Sequence, residues 1–162
     1  MKQTSIYPVV FLALVLALFT RVFFISVYKI PTNSMSPTLL AGDFILGSQV
    51  AYGLKFPWSR EVWFKSFPKR GDLVAVSFAN RPSVTYLRRV TGVAGDFVEI
   101  NQQKIQIGIN QVFVKSDNSE FKEDSHDFGL VSVEQIESRA WLLWFSLSTE
   151  KQIRWERIGQ FL

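Results

Sequence analysis

Apolar residues are concentrated at the start of the chain. From Ile6 to Thr20 the sequence is uncharged and mostly apolar, and after Arg21 it is again mostly apolar as far as Tyr28. A membrane-spanning helix needs ~20 apolar residues. The uninterrupted stretch is shorter than that, but Arg21 lies near one end, from which its charged group can extend to the lipid headgroups. The pattern predicts a transmembrane helix that anchors the protein through residues 1–28.

A cleavable signal peptide with Lys2 in its basic region is the alternative interpretation of this segment. The residues after the apolar stretch read YKIPTNSM and contain no small-x-small cleavage site, so a permanent signal anchor is favoured. With Lys2 on the inner side of the membrane, the rest of the chain lies outside.

Beyond Pro31 the pattern changes to short runs rich in Val, Ile, Phe and Tyr, separated by Gly, Asp, Pro and Asn. The runs are DFILGSQVAY, DLVAVSF, VTYLRRVTGV, DFVEI, KIQI, QVFV and WLLWFSL. Apolar and polar residues alternate in VTYLRRV, as in a half-buried strand, and three Gly-Asp pairs mark turns before strands. Only Val133–Arg139 has a helical pattern. Residues 29–162 are therefore predicted to form a mainly β domain of antiparallel sheets, partly closed on themselves.

Composition narrows the classes of function. The chain has 162 residues, a net charge of +4 and no cysteine. The length suits one domain with an anchor, and the lack of cysteine excludes disulfides and thiol catalysis. Because the positive charges are dispersed, the chain is predicted to bind no nucleic acid, and contact with anionic lipid is more plausible.

One loop before Lys69 is crowded with aromatic side chains, whose location the sequence leaves open between the core and a membrane-facing rim. They are Phe56, Trp58, Trp63, Phe64 and Phe67.

Four segments of the chain resemble, in the same order, those of the bacterial type I signal peptidases (leader peptidases). They are IPTNSMSPTLLAGDFIL (30–46), KRGDLVAV (69–76), TYLRRVTGVAGDFVEI (85–100) and SDNSEFKEDSHDFGLV (116–131). The resemblance implies the β-rich signal peptidase fold and a membrane-bound serine endopeptidase that removes signal peptides from exported preproteins after small residues. It implies no metal or cofactor. The expected partners are preprotein signal peptides and membrane lipid, and the expected place is the cytoplasmic membrane, crossed once, with the catalytic domain on its outer face.

The same resemblance assigns roles at the predicted site. Ser34 takes the position of the nucleophile. The Ser34 N–H and the Thr32 hydroxyl would bind the oxyanion. Ile30, Tyr86 and Leu87 match positions beside the small substrate residues, and the last two are also suited to bind substrate backbone as an added strand.

The general base departs from the family pattern. Arg88 occupies the position of the usual catalytic lysine. A guanidinium stays protonated in proteins, so it cannot accept the serine proton. Lys122 stands where the family has a serine that contacts that lysine. We therefore hypothesise that Lys122 is the base, with the cation of Arg88 lowering its pKa; the alternative is a solvated loop lysine.

Two further residues of the acidic segment are predicted to support the site. Asp124 resembles a buried acid that braces the site, and an ion pair with Arg88 or Arg89 is expected. His126, the only histidine, is the less favoured candidate for the base, and its simpler role is to hold Asp124 from outside the site.

The loss of the usual lysine keeps another class of function open. A catalytically silent relative would bind preproteins or partners without cutting them. The short insert between the third and fourth segments also fits, weakly, a specialised peptidase for one pilin or conjugation substrate. The sequence does not indicate an oligomeric state.

Overall fold

The structure is a computed structural model that describes residues 6–55, 62–78, 81, 83–100, 102–121 and 123–162. The side chains of residues 19–23, 54, 55 and 62 are not described. Of the residues singled out in the sequence, Lys2, Phe56, Trp58 and Lys122 lie outside the described residues.

Short strands account for most of the regular structure. The helices are α1 (Tyr7–Phe23) and α2 (Ser125–Phe128). The strands are β1 (Ile25–Lys29), β2 (Asp43–Ser48), β3 (Leu54–Lys55), β4 (Val62–Trp63), β5 (Leu73–Ser77), β6 (Thr85–Gly92), β7 (Phe97–Ile100), β8 (Gln103–Gln106), β9 (Gln111–Lys115), β10 (Val131–Ser132), β11 (Ile136–Ser146) and β12 (Gln160–Phe161). Each predicted run contains a strand, and the mainly β class is confirmed.

Antiparallel pairing joins most of these strands into one sheet. Within the described residues, eight strands form a sheet in the order β1-β2-β11-β5-β6-β9-β10, with β12 also on β11. The pairs β3-β4 and β7-β8 form two small separate sheets. The long strand β11 pairs with β2 along one part and with β5 along another. It therefore connects the strand after the Ser34 loop to the strand beside β6, and these elements frame the site.

The helical pattern of Val133–Arg139 does not form an α-helix. A 3₁₀ turn covers Val133–Gln135, with the Ser132 side chain and Gln135 forming a capping box. The chain then enters β11, where alternate residues from Ile136 to Ala140 are buried. That alternation has the period of a strand, and pairing with β5 outweighs the weak helical pattern.

The first strand begins inside the segment assigned to the anchor. β1 pairs with β2 from Ile25 to Lys29, so the sheet begins before the predicted boundary at residue 28. The helix α1 precedes it, and the side chains from Ile6 to Leu18 are exposed. Among the described residues, no helix is both long and apolar enough to cross a membrane.

The three Gly-Asp pairs form the same turn. The glycines at 42, 71 and 95 have φ angles of 90°, 95° and 92°, in the region that favours glycine. Each following aspartate accepts a hydrogen bond from the backbone N–H three residues before it, at 2.9, 2.9 and 2.8 Å. The turn chemistry read from the sequence is confirmed.

The described part of the aromatic loop does not contribute to the core. Trp63, Phe64 and Phe67 are 55%, 83% and 46% exposed. Of the two interpretations, core packing is wrong for these three side chains.

Candidate active site

Ser34 lies in the loop that connects β1 to β2, and apolar side chains anchor this loop. Ile30, Met35 and Leu39 are buried in one cluster with Ile45 and other residues of the sheet. The Leu39 N–H donates to the Met35 carbonyl at 2.8 Å. Because these side chains are packed on both sides of Ser34, the hydroxyl is held against the sheet rather than on a free loop.

Asparagine side chains connect this loop to the acidic segment. The Asn33 side chain accepts from the Ala41 N–H at 2.9 Å. Across the site, the Asn118 N–H donates to the Ser34 carbonyl at 3.0 Å, and its side-chain amide donates to the Asn33 carbonyl at 3.3 Å. The acidic segment thereby holds the backbone of the predicted nucleophile.

The buried carboxylate of Asp43 lies at the end of the loop that carries Ser34. Asp43 is fully buried and accepts from Arg154 at 3.1 Å, Arg157 at 2.8 Å and Ser146 at 2.6 Å. The two arginines also donate to loop carbonyls, Arg154 to Ala41 at 2.8 Å and Arg157 to that of residue 38 at 2.9 Å. The C-terminal segment is thus tied to the loop that carries Ser34.

A second ion pair supports the opposite side of the loop. Arg89 donates twice to Asp117, at 2.7 and 2.6 Å, and the Thr38 hydroxyl donates to the same carboxylate at 2.6 Å. Burial raises the pKa of Asp117, but the hydrogen bonds from Arg89 and Thr38 and the charge of Arg89 outweigh it, and the pKa is lowered overall.

The Ser34 hydroxyl is nearly buried and faces two donors. Its residue is 7% exposed, the Thr32 hydroxyl is 3.2 Å away and Arg88 Nη1 is 3.3 Å away. The Ser34 N–H donates no hydrogen bond within the described part of the chain, so it is available to a developing oxyanion. The structure thus brings Ser34, Thr32 and Arg88 together.

Arg88 reaches Ser34 because of the strand period. In β6 the buried positions alternate, and Arg88 lies between Tyr86 and Val90 on the buried face. Burial lowers the pKa of Arg88, and the negative charges of Asp124 and Glu123 partly offset this effect. A guanidinium still keeps its proton, so at this position it donates to the serine and does not activate it.

The predicted substrate-binding residues share one cavity with Ser34. The cavity has a volume of about 400 Å³. Its walls include Ile30, Tyr86 and Leu87 as well as Thr32 and Arg88. The cavity therefore combines apolar walls with hydrogen-bond donors at the end where Ser34 lies, as small-molecule and peptide sites usually do.

Asp124 and His126 face a different cavity, which Asp117 also lines. Asp124 caps α2 by accepting from the His126 N–H at 2.9 Å, and His126 Nδ1 lies 3.0 Å from the same carboxylate oxygen. The ion pair expected between Asp124 and Arg88 or Arg89 is wrong. Asp124 pairs with His126, and Arg89 pairs with Asp117.

Lys122, the hypothesised base, lies outside the described residues. Its neighbours Phe121 and Glu123 both line the Ser34 cavity. The Glu123 carbonyl accepts from Arg88 Nε at 2.8 Å and Nη2 at 2.6 Å.

The described residues contain no group of three or more His, Asp or Glu side chains arranged to hold a metal ion.

Sequence reasoning missed the two carboxylates that brace the loop. The sequence pattern marks Asp43 only as part of a Gly-Asp turn, and Asp117 only as one residue of the fourth segment. The available signal was weak, because an arginine at 154 or 157 is distant in sequence from the loop and nothing local indicates the pairing.

Comparison with known proteins finds relatives named signal peptidase I. The model of the family described as "Signal peptidase, peptidase S26" matches residues 3–110, which include Ser34 and Arg88 and end before Asp117. A protein named signal peptidase I from Pseudomonas aeruginosa is 39% identical over 101 residues, 62% of this chain and 34% of that protein. Another of the same name from Aquifex aeolicus is 36% identical over 89 residues, 55% of this chain and 30% of its own.

A third signal peptidase I, from Buchnera aphidicola subsp. Baizongia pistaciae, is 39% identical over 98 residues, 60% of this chain and 30% of the relative. The matched part thus spans about a third of the length of these relatives, at 34%, 30% and 30%. The family match covers most of the chain and contains the serine loop and strand β6 of the site. The chain therefore belongs to the peptidase S26 family of signal peptidases.

Proposed function

We propose that the chain is a membrane-bound serine endopeptidase that removes N-terminal signal peptides from exported preproteins. The observation that carries the proposal is the cavity in which the Ser34 hydroxyl, the Thr32 hydroxyl and the apolar walls of Ile30 and Leu87 meet. Ser34 Oγ attacks the scissile carbonyl, and the Ser34 N–H and Thr32 hydroxyl stabilise the oxyanion. The scissile C–N bond breaks, and the amine of the mature protein leaves with the proton that Ser34 gave up to the base. Water then hydrolyses the acyl-enzyme and releases the signal peptide with a free carboxylate.

One edge of β6 supports the binding of an extended peptide. Residues 85–87 pair with β5 on one side, and within the described residues no strand pairs with them on the other side. The backbone of Val90 faces the β5 side: its N–H donates to the Asp72 carbonyl at 2.9 Å, and its carbonyl accepts from the Gly71 N–H at 2.8 Å. Because backbone groups alternate along an antiparallel strand, those of Thr85 and Leu87 face the other side. There β9 pairs with β6 only from Arg89 onward. A substrate strand would lie along this edge of residues 85–87, where the Leu87 carbonyl already accepts from Arg88 Nη1 at 2.6 Å.

The walls of the cavity favour small substrate residues. Ile30 is buried, and Leu87 packs against the same apolar cluster. Side chains that are fixed in a packed core yield little to a bulky guest. A substrate with Ala or Gly beside the scissile bond is accommodated, and one with a large residue is rejected.

We also propose Lys122 as the general base. Its two chain neighbours line the cavity, and Arg88 fixes the adjacent Glu123 carbonyl. A cation beside a lysine lowers the lysine pKa, which favours the neutral amine that a base requires. His126 is disfavoured, because it is bound to Asp124 and lines the other cavity.

A second candidate function is a silent binder of preproteins. The contact of 3.3 Å between Arg88 Nη1 and Ser34 Oγ favours it, because a permanent donor at this position stabilises the serine without taking its proton. In this case the cavity binds the peptide, and no bond is broken.

The exposed apolar helix supports placement at a membrane. α1 has 17 residues, which corresponds to about 25 Å of helix. Its described side chains are apolar on every face and exposed, and such a surface is suited to lipid. We propose that residues 1–28 anchor the chain in the cytoplasmic membrane as a single span, with the peptidase domain of residues 29–162 on the outer face.

Cleavage of a preprotein by detergent-solubilised protein tests the proposal. We expect a shortened product from the unmodified chain and none from Ser34→Ala. Lys122→Met is expected to abolish cleavage, whereas Lys104→Met, on the separate β7-β8 hairpin, serves as the matched control and retains it. Cleavage that persists in Lys122→Met refutes the assigned base.

Binding of a preprotein without cleavage would distinguish the second function from the first. If the unmodified protein binds the preprotein but yields no product, the peptidase proposal fails. Arg88→Lys is then the informative variant, because it places an amine near Ser34. A gain of cleavage in this variant would show that the guanidinium is the reason the unmodified chain does not cleave.

A further inference from the structure

The guanidinium of Arg88 is a buried cation that, among the described residues, donates to neutral oxygens and lies 5.1 Å from the centroid of the Tyr86 ring. The residue is 3% exposed. It donates to the Glu123 carbonyl at 2.8 and 2.6 Å, to the Leu87 carbonyl at 2.6 Å and to Ser34 Oγ at 3.3 Å. Among the described residues, Arg88 forms no ion pair with a carboxylate. The arginine–carboxylate pairs there are made by the other arginines.

The carboxylates nearest to Arg88 along the acidic segment have other partners. The Glu123 carboxylate accepts from Arg81 at 2.8 Å. The Asp124 carboxylate accepts from the His126 N–H at 2.9 Å and lies 3.0 Å from His126 Nδ1. Burial lowers the pKa of Arg88, and these two acids offset the effect only in part. The cation is therefore incompletely neutralised.

A buried charge without an adjacent counter-charge has a high free energy, and an anion that enters the site lowers it. Arg88 lines the Ser34 cavity, so such an anion has room beside it. Four of the five guanidinium N–H groups make the hydrogen bonds described above, so one N–H on Nη2 remains for a carboxylate oxygen. The Thr32 hydroxyl and the free Ser34 N–H supply further donors at the same end of the cavity.

We infer that the Ser34 cavity binds the C-terminal carboxylate of a peptide whose last residue is small, with Arg88 as the principal donor. The binding site follows from the geometry alone, whereas the source of the peptide rests on the proposed function. Cleavage of a signal peptide at Ser34 would leave its new C-terminal carboxylate beside this guanidinium. The released signal peptide would then be retained and would compete with the next substrate.

Two short synthetic peptides of one sequence, both ending in Ala-x-Ala, test this inference. One carries a free C-terminal carboxylate and the other a C-terminal amide. Binding is measured by calorimetry to the detergent-solubilised Ser34→Ala chain, which cannot cleave either peptide. We expect the free acid to bind about tenfold more tightly than the amide, because a charge-assisted hydrogen bond is stronger than a neutral one.

Variants then assign the preference to Arg88. In the same background, Arg88→Met is expected to abolish the difference between acid and amide. Arg70→Met also removes one guanidinium, but Arg70 is exposed and pairs with Asp96, so the difference is expected to remain. The acid-amide comparison with Arg88 intact does not depend on how well the Arg88→Met variant folds.

The outcomes separate this inference from the proposed function. Equal binding of acid and amide with Arg88 intact overturns the carboxylate site, even if the unmodified chain cleaves preproteins. Loss of the acid preference in Arg70→Met as well as in Arg88→Met overturns the assignment to Arg88. A preference of the Ser34→Ala chain for the acid, together with an unmodified chain that cleaves no preprotein, supports the site and refutes the peptidase proposal.

Discussion

The fully buried carboxylate of Asp43 offers the sharpest test of what holds the serine loop in place. It accepts from Arg154, Arg157 and Ser146 and from the Leu40 N–H at 2.9 Å. Asp43→Asn keeps the size of the side chain but removes its charge. The two arginine side chains, only 20% and 15% exposed, would then face each other without a counter-ion.

We expect this substitution to lower the free energy of unfolding by ~3–5 kcal/mol, the usual cost of leaving buried charges unpaired. The same change at Asp96 serves as the control. Asp96 accepts from a backbone N–H in an equivalent turn, but its arginine partner, Arg70, is 62% exposed. Solvent screens such a pair, so Asp96→Asn is expected to cost at most ~1 kcal/mol.

Urea denaturation of the two variants in one detergent, followed by tryptophan fluorescence, measures the difference in midpoint. Because the carboxylate also positions the loop, cleavage by Asp43→Asn is expected to fall further than its folded fraction. An Asp43→Asn variant within 1 kcal/mol of the parent, or no less stable than Asp96→Asn, would refute the argument that this ion cluster braces the loop.

Three further predictions follow from the turn geometry, the second ion pair and the two cavities. Both Gly42 and Gly71 have positive φ, but a Cβ would lie 1.9 Å from the Leu147 carbonyl oxygen at Gly42 and in open space at Gly71. Thermal denaturation should therefore show ~1–2 kcal/mol lost for Gly71→Ala and a further ~1–3 kcal/mol for Gly42→Ala; equal losses would contradict the clash. The pKa of Asp117 is lowered in the folded chain from an ordinary value of 3.8, so its stabilisation is complete above that value and disappears as the pH falls through the folded pKa. Asp117→Asn is expected to lower stability by ~1–3 kcal/mol at neutral pH and to reduce the slope of stability against pH below about pH 4, whereas an unchanged slope would show that this pair does not titrate with folding. For cleavage, His126→Gln should reduce the rate by far less than the ~100-fold typical of losing a general base, and a loss of ~100-fold or more in this variant would instead make the histidine the base.

Local rules were sufficient for most of the strands. The alternation in VTYLRRV placed Tyr86 and Arg88 on one face, and the structure buries both. The Gly-Asp turns were also readable, because a positive φ and a side chain that accepts from the third preceding N–H are local features. The helical pattern of Val133–Arg139 did not give a helix, because pairing with β5 is a non-local contact that outweighs a weak periodicity.

The sequence by itself determined the β class, the serine loop and the identity of the residue that replaces the usual lysine. Only the tertiary structure decided what surrounds these residues. Asp124 pairs with His126 rather than with an arginine, and Asp43 accepts hydrogen bonds from two arginines that are more than a hundred positions away in the sequence. Charged side chains of similar type are interchangeable in a sequence pattern, and their partners depend on which strands become neighbours. The buried environment of Arg88 arises in the same way, since β6, the serine loop and the acidic segment meet there only after the chain has folded.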